Sequence, residues 1–234
     1  MKKRILSILL LCCMVLIMLP TTVLAADGPM DTIPKYDVSI DVYNRTSDIS
    51  IKDSRSYYIY SSVPDKLRDT WAWDKKIFIK GDKAAPHVFI DGVNIKMSPS
   101  SKGPAIELNK KASAYLYFIG KDSTLQGADG RAAIQKNRSE GQLYVLARTG
   151  TTVTCKGGYR AAGIGGSWAI RNIGDSMFNM DMYGHGVNMH FGSQSNPDYW
   201  GGTINATGGE YGAGIGAGSW GHSGHSGNTI HGGA

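Results

Sequence analysis

Apolar and polar residues alternate in short runs along this chain, and no run keeps the three-to-four-residue spacing of an amphipathic helix. Val153 and Cys155 alternate with Thr152, Thr154 and Lys156, while Ile204 and Ala206 alternate with Thr203, Asn205 and Thr207. Phe178, Met180 and Met182 alternate with Asn179 and Asp181 in the same way. A period of two puts successive side chains on opposite faces of a strand, one face buried and one wet. Further strands are predicted at Val38 to Val42, Ile49 to Lys52, Tyr57 to Tyr60, Ile77 to Lys80, Val88 to Asp91, Val93 to Lys96, Tyr115 to Ile119 and Leu143 to Ala147.

The strands belong to a repeat. The segment from Thr152 to Trp168 returns from Thr203 to Trp220, with an offset of 51 residues between Thr152 and Thr203 and between Ile164 and Ile215. Pro104-Ala-Ile-Glu-Leu, Ala132-Ala-Ile-Gln, Ala162-Gly-Ile-Gly, Gly186-Val-Asn-Met and Gly212-Ala-Gly-Ile open weaker copies spaced by 28, 30, 24 and 26 residues. Such units leave no room for a crossover helix, so each predicts a coil of two or three short strands joined by glycine turns. Stacked coils pair their backbones with the rungs above and below, giving an all-β, single parallel β-helix. With 24- and 26-residue units, Ile164 and Ile215 are expected to stack inside two coils apart, as are Cys155 and Ala206. That placement makes Cys155 a small core residue rather than a reactive thiol.

Met1-Lys2-Lys3-Arg4, the apolar stretch Ile5 to Leu19 and the ending Val23-Leu24-Ala25 have the three parts of a secretory signal peptide, assigned to residues 1–25. Pro20 closes the apolar stretch before it reaches the roughly 20 residues of a membrane span. Leu11, before Cys12, is too large for a lipoprotein cleavage site. Residues 26–76 are expected to form an N-terminal cap and first coil, and 77–234 the β-helix repeats. Asn228-Thr-Ile-His opens like another repeat strand, so the expected neighbours are further repeats of a longer chain.

Cleavage at residue 25 removes two of the three cysteines, leaving Cys155 with no partner for a disulfide. It also removes 3 of the 25 Lys and Arg, so 22 face 19 Asp and Glu. That small excess argues against nucleic acid as a partner. Of 31 glycines, 23 lie from Gly150 onward, where the repeat argues for turns rather than a low-complexity tail.

Aromatic side chains are the candidate binding residues. Trp168 and Trp220 close equivalent glycine blocks, and Tyr159, Tyr199, Trp200 and Tyr211 lie near the same turns. A ring with an apolar face and a polar tip suits the C–H face and hydroxyls of a sugar. The alternative is that these rings cover the core at coil corners. His222, His225 and His231 are weak metal candidates, because no carboxylate or cysteine accompanies them; exposed loop histidines are the simpler reading.

Other motifs carry less. Gly216-Ala-Gly218-Ser-Trp-Gly221 fits a dinucleotide pattern but lacks the helix that pattern requires. Gly184-His185-Gly186 occurs in pectin-hydrolysing β-helices, but the paired carboxylates of such enzymes are missing. No catalytic residue is assigned.

Ile90-Asp-Gly-Val-Asn-Ile95, Ala161-Ala-Gly-Ile-Gly-Gly166 and Gly202-Thr-Ile-Asn-Ala-Thr-Gly-Gly209 resemble blocks that recur in secreted bacterial right-handed parallel β-helix surface proteins labelled as carbohydrate-binding. The resemblance runs from about Ile77 to the end of the chain. It implies right-handed coils, a cell-surface location and a polysaccharide partner, in some members an acidic polysaccharide with calcium. The expected function is non-catalytic polysaccharide binding or adhesion. A β-helical lyase or hydrolase acting on acidic polysaccharide is the alternative, and a repeat spacer of a larger surface protein the second alternative.

Overall fold

The computed structural model describes residues 34–98, 103–109, 111–136, 140–168, 186–193, 199–218 and 229–230. In chain order, β1 (Val38–Asp41) and β2 (Ile49–Ile51) are followed by β3 (Ser56–Tyr60) and β4 (Ile77–Ile79). Four three-stranded coils come next: β5 (His87–Asp91), β6 (Asn94–Lys96), β7 (Ile106–Leu108); β8 (Ala114–Ile119), β9 (Ser123–Gln126), β10 (Ile134–Lys136); β11 (Leu143–Ala147), β12 (Thr152–Lys156), β13 (Ile164–Gly165); β14 (Met189–Phe191), β15 (Thr203–Thr207), β16 (Ile215–Gly216). β17 (Thr229–Ile230) then pairs with β14. The chain is an all-β solenoid of parallel sheets, as the alternation and the repeat predict.

Three sheets form its walls. Sheet 1 has the order β1-β3-β5-β8-β11-β14-β17, sheet 2 β6-β9-β12-β15, and sheet 3 β2-β4-β7-β10-β13-β16. Each complete coil passes from sheet 1 to sheet 2 to sheet 3. Trp73 joins sheet 2 one rung earlier by bridging Ile95. Rungs therefore occur inside residues 26–76, which contribute β1, β2, β3 and Trp73. Trp73 is 3% exposed, packs in the core at the head of the inward file that continues with Ile95, and its indole N–H donates to the Arg45 carbonyl at 2.7 Å.

The parallel register stacks like on like. Ile49, Ile77, Ile106, Ile134, Ile164 and Ile215 form one file in sheet 3. The first five are buried, and Ile215 packs half-buried against the same core. Removing each buried isoleucine from water contributes roughly 1.5–3 kcal/mol. Val88, Leu116, Val145 and Phe191 form a matching file in sheet 1, and Ile95, Leu125 and Cys155 one in sheet 2. Cys155 is fully buried, and burial pushes its thiol pKa up, so it is a core residue. One charged residue breaks the pattern among the described inward positions. Lys136 follows Leu108 in an inward file and is 1% exposed. Its ammonium donates to the Glu140 carbonyl at 2.9 Å, and burial pushes its pKa down to about 8.

The file in sheet 3 corrects the coil count. Ile164 pairs directly with Ile215 and Cys155 with Ala206, so the 51-residue offset spans one coil rather than two. The blocks at Pro104, Ala132, Ala162 and Gly212 each lead into the isoleucine file. Gly186-Val-Asn-Met leads instead into β14 of sheet 1. A long link between β13 and β14 makes up the extra length and imitates a coil in the sequence. The alternation at Phe178, Met180 and Met182 lies within that link, outside the described residues.

Glycine lets the corners approach one another. A Cβ on Gly158 would lie 1.9 Å from the Ala128 carbonyl oxygen on the rung below. Among the described residues no helix is long and apolar enough to cross a membrane.

Candidate functional site

The outward positions distinguish the walls. Sheet 2 presents Asn94, Thr124, Thr154 and Asn205 in one file, a row of small polar groups. Sheet 1 presents rings. Ser56, His87, Tyr115, Tyr144 and His190 occupy one file of consecutive rungs. His87 and Tyr115 have centroids 4.6 Å apart, Tyr115 and Tyr144 4.5 Å, and Tyr144 and His190 4.6 Å, with planes within 17° of parallel. A ring separation this close to the roughly 4.8 Å rung spacing turns ring faces along the solenoid axis and ring edges outward. The Tyr115 and Tyr144 hydroxyls find no hydrogen-bond partner among the described residues, so they are donors and acceptors left for water or a ligand.

A second file runs beside the first. Tyr58, Phe89 and Tyr117 share a register, and Phe89 stacks on Tyr117 at 4.9 Å. The Tyr117 hydroxyl meets Nδ1 of His87 at 3.0 Å, tying the two files together. Burial raises the Tyr117 pKa and lowers that of His87, so both are held neutral. Nε2 of His190 lies 2.6 Å from Oε1 of Gln142, which is satisfied by the tautomer with hydrogen on Nε2. Trp200, from the link between β14 and β15, leans on Tyr117 at 5.2 Å and 40°. Tyr199 stands edge-on to Trp200 at 4.6 Å and lies under the Arg148 guanidinium at 5.5 Å.

The carboxylates of this face are committed. Oδ1 of Asp91 accepts the Lys121 N–H and Oδ2 accepts the Tyr58 hydroxyl, both at 2.8 Å. Asp41 accepts the Tyr43 and Ser62 N–H groups at 3.0 Å each and the Ser62 hydroxyl. Partial burial works to raise the Asp41 pKa, but these hydrogen bonds prevail and hold it below its usual value. A general acid needs the opposite shift.

A separate cluster sits at the corner between sheets 2 and 3. The Arg160 guanidinium lies over the rings of Tyr159 at 5.0 Å, Trp168 at 5.1 Å and Tyr211 at 5.7 Å. Tyr159 and Trp168 meet edge to face at 6.2 Å, and Trp168 rests on the turn at Gly130.

The six aromatic candidates thus divide. Tyr159, Trp168 and Tyr211 gather around Arg160; Tyr199 and Trp200 join the sheet 1 face; Trp220 lies outside the described residues, as do His222, His225 and His231. Among the described residues no three His, Cys, Asp or Glu side chains are grouped to hold a metal ion. The ring files of sheet 1 were not among the candidates. Their signal was present in the spacing of His87, Tyr115 and Tyr144, each directly before an inward Val88, Leu116 or Val145.

No protein-family model, curated protein or solved structure matches the chain.

Proposed function

We propose that the chain is an exported, non-catalytic polysaccharide-binding solenoid that lays its polymer along the outer face of sheet 1. The observation that carries this reading is the continuous ring surface from His87 to His190 with Phe89, Tyr117 and Trp200 beside it. Ring edges supply an apolar strip, and the free Tyr115 and Tyr144 hydroxyls supply hydrogen bonds one rung apart, which suits a chain of sugar units. The committed Asp41 and Asp91 carboxylates favour binding over hydrolysis on this face. Export rests on the signal-peptide pattern of residues 1–25. Calcium enters through the resemblance alone and is treated as an arm of the test.

One observation favours a second reading, a structural spacer: the rings spend their faces on each other. The test is retention of the chain from Ala26 onward on a panel of immobilised polysaccharides, with and without calcium. Replacing Tyr115 and Tyr144 together by Phe keeps the stack and removes both hydroxyls. Loss of two hydrogen bonds predicts roughly tenfold weaker retention or more. A wild-type chain that no polymer retains would leave the spacer reading.

A further inference from the structure

At the corner between sheets 2 and 3, three successive rungs carry one equivalent turn residue. Gly130 N–H donates to the Tyr159 carbonyl at 2.9 Å, and Arg160 N–H donates to the Glu210 carbonyl at 3.0 Å, which aligns Gly130, Arg160 and Tyr211. All three have positive φ, at 74°, 59° and 64°. Glycine adopts that conformation freely, whereas Arg and Tyr are strained in it. The turn itself asks only for the glycine found at Gly130. Something other than the backbone retains the side chains at positions 160 and 211.

Burial of apolar surface does not account for Tyr211, which is 69% exposed, and Tyr159 is 40% exposed. Nor is the Arg160 charge matched: its guanidinium makes no ion pair or hydrogen bond among the described residues, and its Nε is buried without a partner. A cation braced by three rings and short of an acceptor is arranged to receive an oxyanion. The rings beside it offer apolar surface to the body that carries the anion. We infer that this corner is a subsite for the acidic group of a charged sugar, a carboxylate or a sulfate ester, with Arg160 as the anion ligand and Tyr211 and Tyr159 as the ring contacts.

The subsite rests on the polysaccharide reading for the nature of its polymer. The anion ligand of this subsite is Arg160, at a corner that sheet 1 does not share. Polygalacturonate and its methyl ester, and dextran sulfate and dextran, serve as acidic and neutral partners of like backbone. Retention on each is compared for wild type, Arg160→Gly, Arg160→Asn and the Tyr115→Phe/Tyr144→Phe pair. Wild type is expected to prefer one acidic polymer over its neutral partner, and the preferred pair tells carboxylate from sulfate. Arg160→Gly and Arg160→Asn are expected to reduce that preference by roughly tenfold or more. Their melting temperatures should hold or rise, because Gly and Asn suit positive φ. The paired phenylalanine variant should weaken neutral and acidic retention alike.

If wild type holds acidic and neutral polymers equally, the subsite is refuted and the polysaccharide reading stands. Unchanged preference in both Arg160 variants, with a lower melting temperature, makes Arg160 a structural clasp. Retention on no polymer overturns both proposals.

Discussion

Tyr115 and Tyr144 lie on adjacent rungs of sheet 1 with ring centroids 4.5 Å apart and planes 7° from parallel. Backbone pairing sets that separation, so the rings meet at stacking distance without choosing it. An outward aromatic file on a parallel solenoid becomes a cohesive element by geometry alone. Stability and ligand contact then compete for the same side chains.

Tyr144 has a ring on either side, Tyr115 and His190. Tyr144→Ala removes both stacking contacts and should cost about 1–3 kcal/mol. Tyr144→Phe keeps both and should fall within about 0.5 kcal/mol of wild type. Guanidinium unfolding of the two variants measures the difference. Equal stability of the Ala and Phe forms would mean that the stack contributes nothing.

The isoleucine file should show a graded response. Ile134 is fully buried in mid-solenoid, and Ile134→Ala should cost about 2–5 kcal/mol. Ile215 is half-buried, so Ile215→Ala should cost roughly half as much. Circular dichroism across a denaturant series distinguishes the two. A larger loss at Ile215 would place the weight of the core elsewhere.

How far the sequence reveals this fold follows from the same file. Its members recur at intervals of 28, 29, 28 and 30 residues from Ile49 to Ile164, and such regularity is legible without coordinates. The next interval is 51, and Gly186-Val-Asn-Met, placed by chance near the expected distance, suggested an extra coil. Periodicity reports position along the chain, whereas pairing reports the wall to which a strand belongs. The ring files are concealed in the sequence for a related reason. Half of an alternating strand is expected to be polar, so Tyr115 and Tyr144 read as ordinary outward residues until register placed them in one column.

Corner glycines separate two kinds of constraint. Gly158 has no positive φ, but a Cβ there would lie 1.9 Å from the Ala128 carbonyl oxygen, so Gly158→Ala must push two rungs apart. A cost of about 4 kcal/mol or more is expected. Gly150 has φ +83° with nothing near its Cβ position, and Gly150→Ala should cost only about 1–2 kcal/mol of backbone strain. Thermal unfolding of both variants checks the order, and a reversed order would contradict the corner packing.

His87 gives a pH signature of known sign. Burial between Tyr115 and Tyr117 lowers its pKa, so the folded state favours the neutral ring. Its contribution is complete above the unfolded value of about 6.5. Below that value the unfolded chain binds a proton first, and stability falls until the folded pKa is passed. His87→Phe keeps a ring against Tyr115 and should flatten this part of the curve. Melting temperature against pH for both proteins is the measurement, and parallel curves would exclude His87 as the cause.

The links from sheet 3 to sheet 1 span residues 52–55, 80–86, 109–113 and 137–142, and then 166–188. After the longest of them, β14 still settles on β11 with Leu143 opposite Met189 and Val145 opposite Phe191. The winding therefore tolerates links of unequal length, because lengthening a closed loop adds free energy only logarithmically. For an engineer, this corner is a splice point at which a foreign peptide could be displayed from the wall while the rungs on either side keep their alignment. For evolution, it is a place where novelty can be tried without renegotiating the scaffold.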